Sequence, residues 1–397
     1  VADQIFSLTV EEPVGLAREK EPVRIGIPLP RGKVKKTDQI FLCNKQAFVP
    51  LQTTRLASWP DGSIKWFLLD FFAQCSPNSK NTYTVMTGHT DRETEPPALR
   101  KELTVRERDH AFEVDTGAAV FVVPKDRLAP FSSVVVNGLE LLEKKGSVVI
   151  LKDSDSKIFA SKVKSIGVEE KGPLRSTIMA AGVFTGGSGK EMLHCKLRIT
   201  FFAGLTSVNI ELQIHNPNAA KHPGGIWDLD DPGSILFREF SLQVSPMEAL
   251  DTVKWRSTSD QGYQHVQTDD WSIYQDSSGG ANWNSPNHLG RSGNLTVTFQ
   301  GFRINADKKN VEDGRRANPA TRYEGNNFWI EGAIRNFWQN FPKAIRIRQK
   351  EIDLALFPEE FTHAFELQGG EKKRHEIFLE FGQDHNDDSN TQYFLNP

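Results

Sequence analysis

Three stretches of this sequence gather imidazoles, indoles, carboxylates and amides more densely than solubility requires. The first leaves His215-Asn216-Pro217-Asn218, passes through His222 and continues to Trp227, Asp228, Leu229, Asp230 and Asp231. Such a set can exchange a proton, stack an indole on a sugar face, or present oxygens to a hard cation. Its Asp and Asn side chains can equally cap their own backbone in a turn. Asp228, Asp230 and Asp231 could serve a calcium ion, although the EF-hand spacing and its late Glu are missing.

The second stretch runs Tyr274-Gln275-Asp276-Ser277-Ser278-Gly279-Gly280 to Trp283, Asn287 and His288. A phosphate cradle would need the P-loop lysine and a following helix pattern, and neither is present. Amide and carboxylate groups beside an indole suit a hydroxyl-rich ligand, while a glycine-rich loop packed under Trp283 explains the same residues structurally. The third group is Arg315-Arg316-Ala317-Asn318-Pro319 with Trp329, Arg335, Phe337 and Trp338. Guanidinium forks grip carboxylates through paired hydrogen bonds, so arginines among aromatics favour a uronic acid over a neutral sugar. Isolated surface arginines are the plainer account of each one. The sequence shows no Ser-His-Asp order, no GxSxG elbow and no HExxH helix. Paired carboxylates for hydrolysis depend on a spatial separation that sequence leaves open.

The elements around these stretches read as strands. In Val208-Asn209-Ile210-Glu211-Leu212-Gln213-Ile214-His215 aliphatic and polar residues alternate, the period of a strand with one buried face, which puts His215 on the polar face. Further strands are expected at Val23 to Ile27, Phe48 to Leu51, Ile64 to Phe72, Ala111 to Val114, Ala119 to Val123, Val134 to Val136, Ser147 to Leu151, Leu174 to Phe184 and Met192 to Phe202. Ile235 to Val244, Leu295 to Arg303, Asn327 to Trp338, Ile352 to Phe357 and His375 to Phe381 continue the pattern, with room for a short helix between Asn326 and Phe341. In Trp59-Pro60-Asp61-Gly62-Ser63-Ile64-Lys65-Trp66 the turn centres on Asp61-Gly62, and alternation after it places Ile64 and Trp66 on one buried face.

The polar, proline-broken stretch Thr90 to Arg100 marks a linker. The expected organisation is all-β: a small N-terminal β-barrel or sandwich over residues 1–92, a larger antiparallel β-sandwich over 93–383, and a tail or truncated linker over 384–397. Eight Trp and 26 Phe with 30 Gly and 21 Pro suit many short strands and tight turns, leaving rings for flat ligands. With 51 acids against 48 bases there is no global field for nucleic acid or an anionic membrane. No apolar run approaches the ~18 residues of a membrane span. The start lacks a basic-then-apolar leader, as a processed mature chain would, and secretion or a periplasmic location is expected. Cys43, Cys75 and Cys195 form no CxxC pair, so one disulfide plus a free thiol and three thiols both stay open.

Several of these segments carry a resemblance. Val23-Arg24-Ile25-Gly26-Ile27-Pro28-Leu29-Pro30-Arg31-Gly32, Val49-Pro50-Leu51-Gln52 and Trp59-Pro60-Asp61-Gly62-Ser63-Ile64-Lys65-Trp66 resemble the N-terminal barrel of the exo-rhamnogalacturonan lyase-like family. His222-Pro223-Gly224-Gly225-Ile226-Trp227-Asp228-Leu229, Tyr274-Gln275-Asp276-Ser277-Ser278-Gly279-Gly280 and Glu366-Leu367-Gln368-Gly369-Gly370-Glu371-Lys372 look like its central β-sandwich, with Asp230 where glycine is expected. The family pattern runs on into a C-terminal α/α toroid, and these 397 residues end before it.

The resemblance implies β-elimination on rhamnogalacturonan, with a cation neutralising the uronate, a base for the C5 proton and an acid for the leaving oxygen. On that reading Arg335 or Arg316 meets the carboxylate, His222 or His288 exchanges the proton, and Trp227, Trp283 and Trp338 stack on sugar rings. His215, Asn216, Asp228, Tyr274, Gln275, Asp276 and Asn287 complete the expected binding set. The competing expectation is a non-catalytic carbohydrate-binding or structural subunit on the same scaffold, as a homo-oligomer or part of a larger assembly. In both cases the partner is an acidic polysaccharide, with no nucleic acid and no membrane span.

Overall fold

The alternation at Val208 to His215 becomes the strand Ser207–His215, which buries Val208, Ile210, Leu212 and Ile214 and leaves Asn209, Glu211, Gln213 and His215 half-buried on its outer face. In the computed structural model, which describes residues 3–45, 47–88, 102–186, 189, 191–222, 229, 231–249, 252–290, 293–348, 350–383 and 390–396, this strand is the fourth of nine in one antiparallel sheet. The spatial order is Ala160–Glu170, Arg175–Thr185, Glu191–Phe202, Ser207–His215, Lys372–Gly382, Trp329–Ile334, Ala320–Glu324, Thr252–Arg256 and Gln264–Val266. A seven-stranded sheet supplies the other layer, ordered Leu142–Lys152, Glu239–Pro246, Glu351–Phe357, Lys343–Arg348, Asp270–Gln275, Phe302–Ala306 and Lys309–Gly314. Their facing side chains form one continuous apolar core that includes Leu197, Ile210, Leu242, Trp271, Ile345, Leu354 and Leu379. A five-stranded sheet, Thr104–Glu107 through Leu139–Glu140, joins this core through Phe121, whose ring meets Phe201 and Phe381 at 5.2 and 5.9 Å.

Residues 3–88 build a separate small unit from two sheets. Asp3–Glu12, Ser79–Thr87, Ile40–Asn44 and Ala47–Val49 form one, and Arg18–Pro28, Ile64–Cys75 and Leu51–Ser58 form the other. Ile27, Leu42, Phe67, Leu69, Phe71 and Val85 fill the space between them. The expected class, a small β-barrel followed by a larger antiparallel β-sandwich, is what forms. The two units are locked by polar side chains. Gln52 is buried and its Oε1 accepts from the backbone N–H groups of Leu174 and Arg175 at 3.1 and 2.9 Å. Arg24 grips Asp70 with two hydrogen bonds of 2.6 and 2.8 Å and also reaches Glu170 across the junction. A Cβ on Gly172 would come within 2.1 Å of the Gln52 amide, so a larger residue there would displace Gln52 from these bonds.

Four local expectations change. Trp66 is 41% exposed rather than buried. The pairing of Leu51–Ser58 with Ile64–Cys75 shifts register at Ala57/Ser58, so Ile64 and Phe67 both turn inward and Trp66 turns out. Lys65 lies over the Trp59 ring at 4.8 Å, while Gly62 takes the turn at φ +79 as expected. Leu295 to Gly301 is loop, and the strand begins at Phe302. Ile235 to Val244 divides at Arg238: Ile235–Phe237 pairs with Phe365–Leu367 in a small ribbon, and Glu239–Pro246 enters the seven-stranded sheet. Asn327 to Trp338 resolves into the strand Trp329–Ile334 and a turn, with no helix.

The stretch read as a linker falls within 89–101, outside the described residues. Within the stretch read as a tail or truncated linker, Thr391–Leu395 is a short helix, and its Phe394 stacks on Phe378 at 5.4 Å and is buried. Cys43, Cys75 and Cys195 are all free thiols. Burial pushes the Cys195 thiol up to about 12, so it is inert at neutral pH. No helix of the described residues is long and apolar enough to cross a membrane.

Candidate functional site

The loop after Ser207–His215 is organised by two buried side chains. Asn216 is fully buried and its Nδ2 donates to the carbonyls of Gly233 and Leu367, both at 2.8 Å, while Oδ1 accepts from the Asn218 N–H. Asp231 accepts from the backbone N–H groups of Lys221, His222 and Gly233 at 2.9, 2.6 and 2.7 Å. The His222 N–H, first among these donors, holds the Asp231 carboxyl below the usual range despite its burial. The turn-capping reading therefore describes Asn216 and Asp231, which face the backbone and not a ligand. With its oxygens so occupied, Asp231 does not offer calcium an open carboxylate, and Asp228 and Asp230 lie outside the described residues, as does Trp227. Among the described residues no group of three or more His, Cys, Asp or Glu is placed to hold a metal. His222 sits at φ +37 with Nδ1 3.6 Å from Asp231 Oδ2.

The second loop is built in the same manner. Gln275 is fully buried, donates to the carbonyls of Ser277 and Arg315, and accepts from the Ala317 N–H at 2.9 Å. Asp276, 2% exposed, accepts from the Tyr274 hydroxyl at 2.8 Å and from the backbone N–H groups of Thr298 and Phe299 at 2.6 and 3.0 Å. Burial, with the Asp276 charge behind it, pushes the Tyr274 phenol far up, so it remains a donor. Tyr274, Gln275 and Asp276 thus shape the loop that presents Trp283, Asn287 and His288, which stay at least partly exposed.

Beside that loop lies a cavity of about 570 Å³. His288, Asn287 and Asp276 come to it from the second loop, Leu229 from the first, and His363 and Glu366 from the segment after Glu351–Phe357. Phe341, Phe357, Phe361 and Phe365 form its apolar walls. The His288 ring meets Phe341 edge-on at 5.5 Å, and His363 packs on Phe361 at 5.7 Å. A Cβ on Gly290 would fall 3.7 Å from the His363 ring, so the turn bearing His288 and the segment bearing His363 are neighbours. The His363 Nδ1 shares a 3.0 Å hydrogen bond with the Thr362 hydroxyl, and Glu366 accepts from Ser234 at 2.7 Å. Two imidazoles and a carboxylate over a phenylalanine-walled pocket can exchange protons with a hydroxylated ligand whose apolar face rests on the rings.

The remaining candidates go elsewhere. The exposed Arg316 lies over the half-buried Trp338 at 4.3 Å and donates to the Ser278 carbonyl at 3.2 Å, beside the second loop. Arg335 ends on the outer face of the nine-stranded sheet, with Nε 2.9 Å from Glu376 and its guanidinium 4.2 Å over Phe394. His215 stays on the sheet's outer face against the His194 ring at 5.7 Å. Burial, helped by Lys372, lowers its pKa. His288 and Arg335 therefore do not converge, and His363 and Glu366 take places that sequence reasoning left empty. The signal for His363 was available as an imidazole between Phe361 and Phe365 in a loop following Pro358.

Residues 15–88 match the PcRGLX-like N-terminal RIFT barrel domain, and residues 103–222 match the PcRGLX-like protein central beta sandwich domain. The chain carries the PcRGLX-like barrel and sandwich pair. Both matches agree with the resemblance of these segments to the rhamnogalacturonan lyase-like family. The cavity lining, Leu229 to Glu366, lies C-terminal to both matched segments of the PcRGLX-like pair. The uncharacterized protein YetA of Bacillus subtilis (strain 168) is 29% identical over 196 residues, a match covering 47% of this chain and 22% of YetA's length. Among solved structures, a protein in the glycosyl hydrolase family 38 from Enterococcus faecalis aligns with 95% of this chain and 44% of its own, at TM-score 0.50 and 8% identity. An alpha-mannosidase from Enterococcus faecalis V583 aligns with 96% and 43%, at TM-score 0.47 and 10% identity. At 8% identity the first likeness is one of fold.

Proposed function

We propose that this chain binds acidic pectic polysaccharide of the rhamnogalacturonan type in the cavity between His288 and His363 and serves its cleavage by β-elimination at a uronic acid. The observation that carries the reading is the pairing of two imidazoles with phenylalanine walls in one pocket, on a scaffold with the PcRGLX-like barrel and sandwich. One imidazole removes the C5 proton, the C–H electrons form the C4–C5 double bond, the C4–O bond breaks, and the other imidazole protonates the leaving oxygen. Asn287 and Glu366 read sugar hydroxyls, and Phe361 and Phe341 support the ring. Such a substrate is met outside the cytoplasm, and the reading carries secretion with it.

One observation favours a second reading. Among the described residues the cavity lining contains no arginine or lysine, and Arg316 and Arg335 lie elsewhere. A chain without that cation would bind the polysaccharide and leave the elimination to groups supplied from outside these residues. Incubation with rhamnogalacturonan, followed by the ultraviolet absorbance of the unsaturated uronate, separates the two. The lyase reading requires product formation that His288→Ala and His363→Ala abolish. No product at high protein concentration, with polysaccharide still bound, would leave the binding module standing.

A further inference from the structure

A second cavity, about 150 Å³, opens at the junction of the barrel and the sandwich. It shares no lining residue with the pocket around His288. Its floor is the outer face of the nine-stranded sheet at Ser207, Asn209 and Phe378, and the barrel strand Arg18–Pro28 and the helix Thr391–Leu395 wall it with Glu21 and Phe394. Arg175 and Arg335 both line it.

The two guanidinium groups have donors to spare. Asp70, the acid beside Arg175, is gripped bidentately by Arg24, which also holds Glu170. Arg175 is left 3.8 Å from Asp70 and 3.6 Å from Glu170, too far for hydrogen bonds, with its side chain three-quarters buried. Its Nε has no hydrogen-bond partner among the described residues. The Arg335 guanidinium lies 4.2 Å over the Phe394 ring with Nε 2.9 Å from Glu376, whose other oxygen is taken by Arg374, and its terminal nitrogens make no hydrogen bond among the described residues. The lining carboxylate, Glu21, makes its close ion pair with Arg18 at 2.5 Å. Guanidinium donors withdrawn from water and left unfilled are costly, and a planar carboxylate is the group their geometry fits. At ~30 Å³ for each water displaced, the space takes a carboxylate with its attached ring, not a disaccharide.

We propose that this junction cavity is a binding site for a sugar acid, its carboxylate held by Arg175 and Arg335 and its hydroxyls by Ser207 and Asn209. The site is independent of the pocket around His288. Because the occupant bridges a barrel wall and the sandwich floor, it fastens the two units to each other.

The test is calorimetric titration of the full chain carrying His288→Ala, so that the other pocket does not contribute, with D-galacturonate, D-galactose and inorganic phosphate as separate probes. Galacturonate should bind and galactose should not. Arg175→Gln and Arg335→Gln should each weaken galacturonate at least ~10-fold, the scale of one charge-assisted hydrogen bond, and the double variant should abolish it. Asn209→Ala, which removes no charge, should weaken galacturonate with the melting temperature unchanged and stands in if an arginine variant does not fold. Galactose binding as well as galacturonate, phosphate binding with galacturonate silent, or galacturonate affinity unchanged in the variants would each overturn the assignment.

Discussion

Asp276 has no oxygen left for a ligand's hydroxyl, because Tyr274, Thr298 and Phe299 fill both. Removing it strands buried donors, so Asp276→Ala should cost about 2–4 kcal/mol and lower the melting temperature together with any binding. His288 is only half-buried, and His288→Ala should leave stability within about 1 kcal/mol of the parent while binding falls. The pair of variants separates a residue that shapes the pocket from one that faces its contents. Asp353 offers a pH readout. Burial, with Arg346 opposing it and Glu239 and Glu360 reinforcing it, raises its pKa from 3.8 to about 6. The folded state thus binds a proton between about pH 4 and 6 that the unfolded state has released, so stability falls as pH rises through that window and the full cost stands above it. Asp353→Asn removes the titration, and its melting temperature relative to the parent should rise from about pH 4 to about pH 7. A difference that stays flat with pH would contradict the assignment.

At the level of elements, the bulge beside the Trp59–Trp66 hairpin sets which tryptophan matters. With Trp66 turned outward and Phe67 fully buried, Phe67→Ala should cost about 3–5 kcal/mol and Trp66→Ala less than about 1.5, read from denaturant midpoints. Alternation alone could not disclose this, since a bulge inserts a residue without altering composition. Leu295-Thr296-Val297-Thr298-Phe299 alternates as well as any strand in the chain, but Asp276 captures the Thr298 and Phe299 N–H groups that a sheet ladder would use. Where pairing is undisturbed, as at Ser207–His215, periodicity yields the strand, its buried face and the outward His215. The loop candidates were legible by type but not by role: Asn216 and Gln275 are spent on backbone carbonyls that approach from far along the chain. Arg335 and His288 are far apart in sequence and line different cavities, which residue type does not convey.

Across the whole molecule, barrel and sandwich keep separate main cores and are joined by polar contacts and by Phe72, a barrel residue packed against the sandwich core. Gln52 and Arg24 are joined at the junction by Lys20, which donates to the Ala203 and Gly204 carbonyls, and by Arg18, which donates to the Asn396 carbonyl. The double variant Gln52→Ala, Arg24→Ala should let the barrel unfold ahead of the sandwich, splitting one calorimetric transition into two, while a single unsplit transition would show that other contacts suffice. Function, on this account, needs the sandwich pocket more than the junction. The most direct test is titration of a rhamnogalacturonan oligosaccharide into the parent chain, His288→Ala, His363→Ala and, as a control outside the pocket, Arg316→Ala. Both histidine variants should lose at least ~10-fold in affinity with unchanged melting temperatures, while Arg316→Ala stays near the parent. Unchanged affinity in both histidine variants, or loss confined to Arg316→Ala, would contradict it.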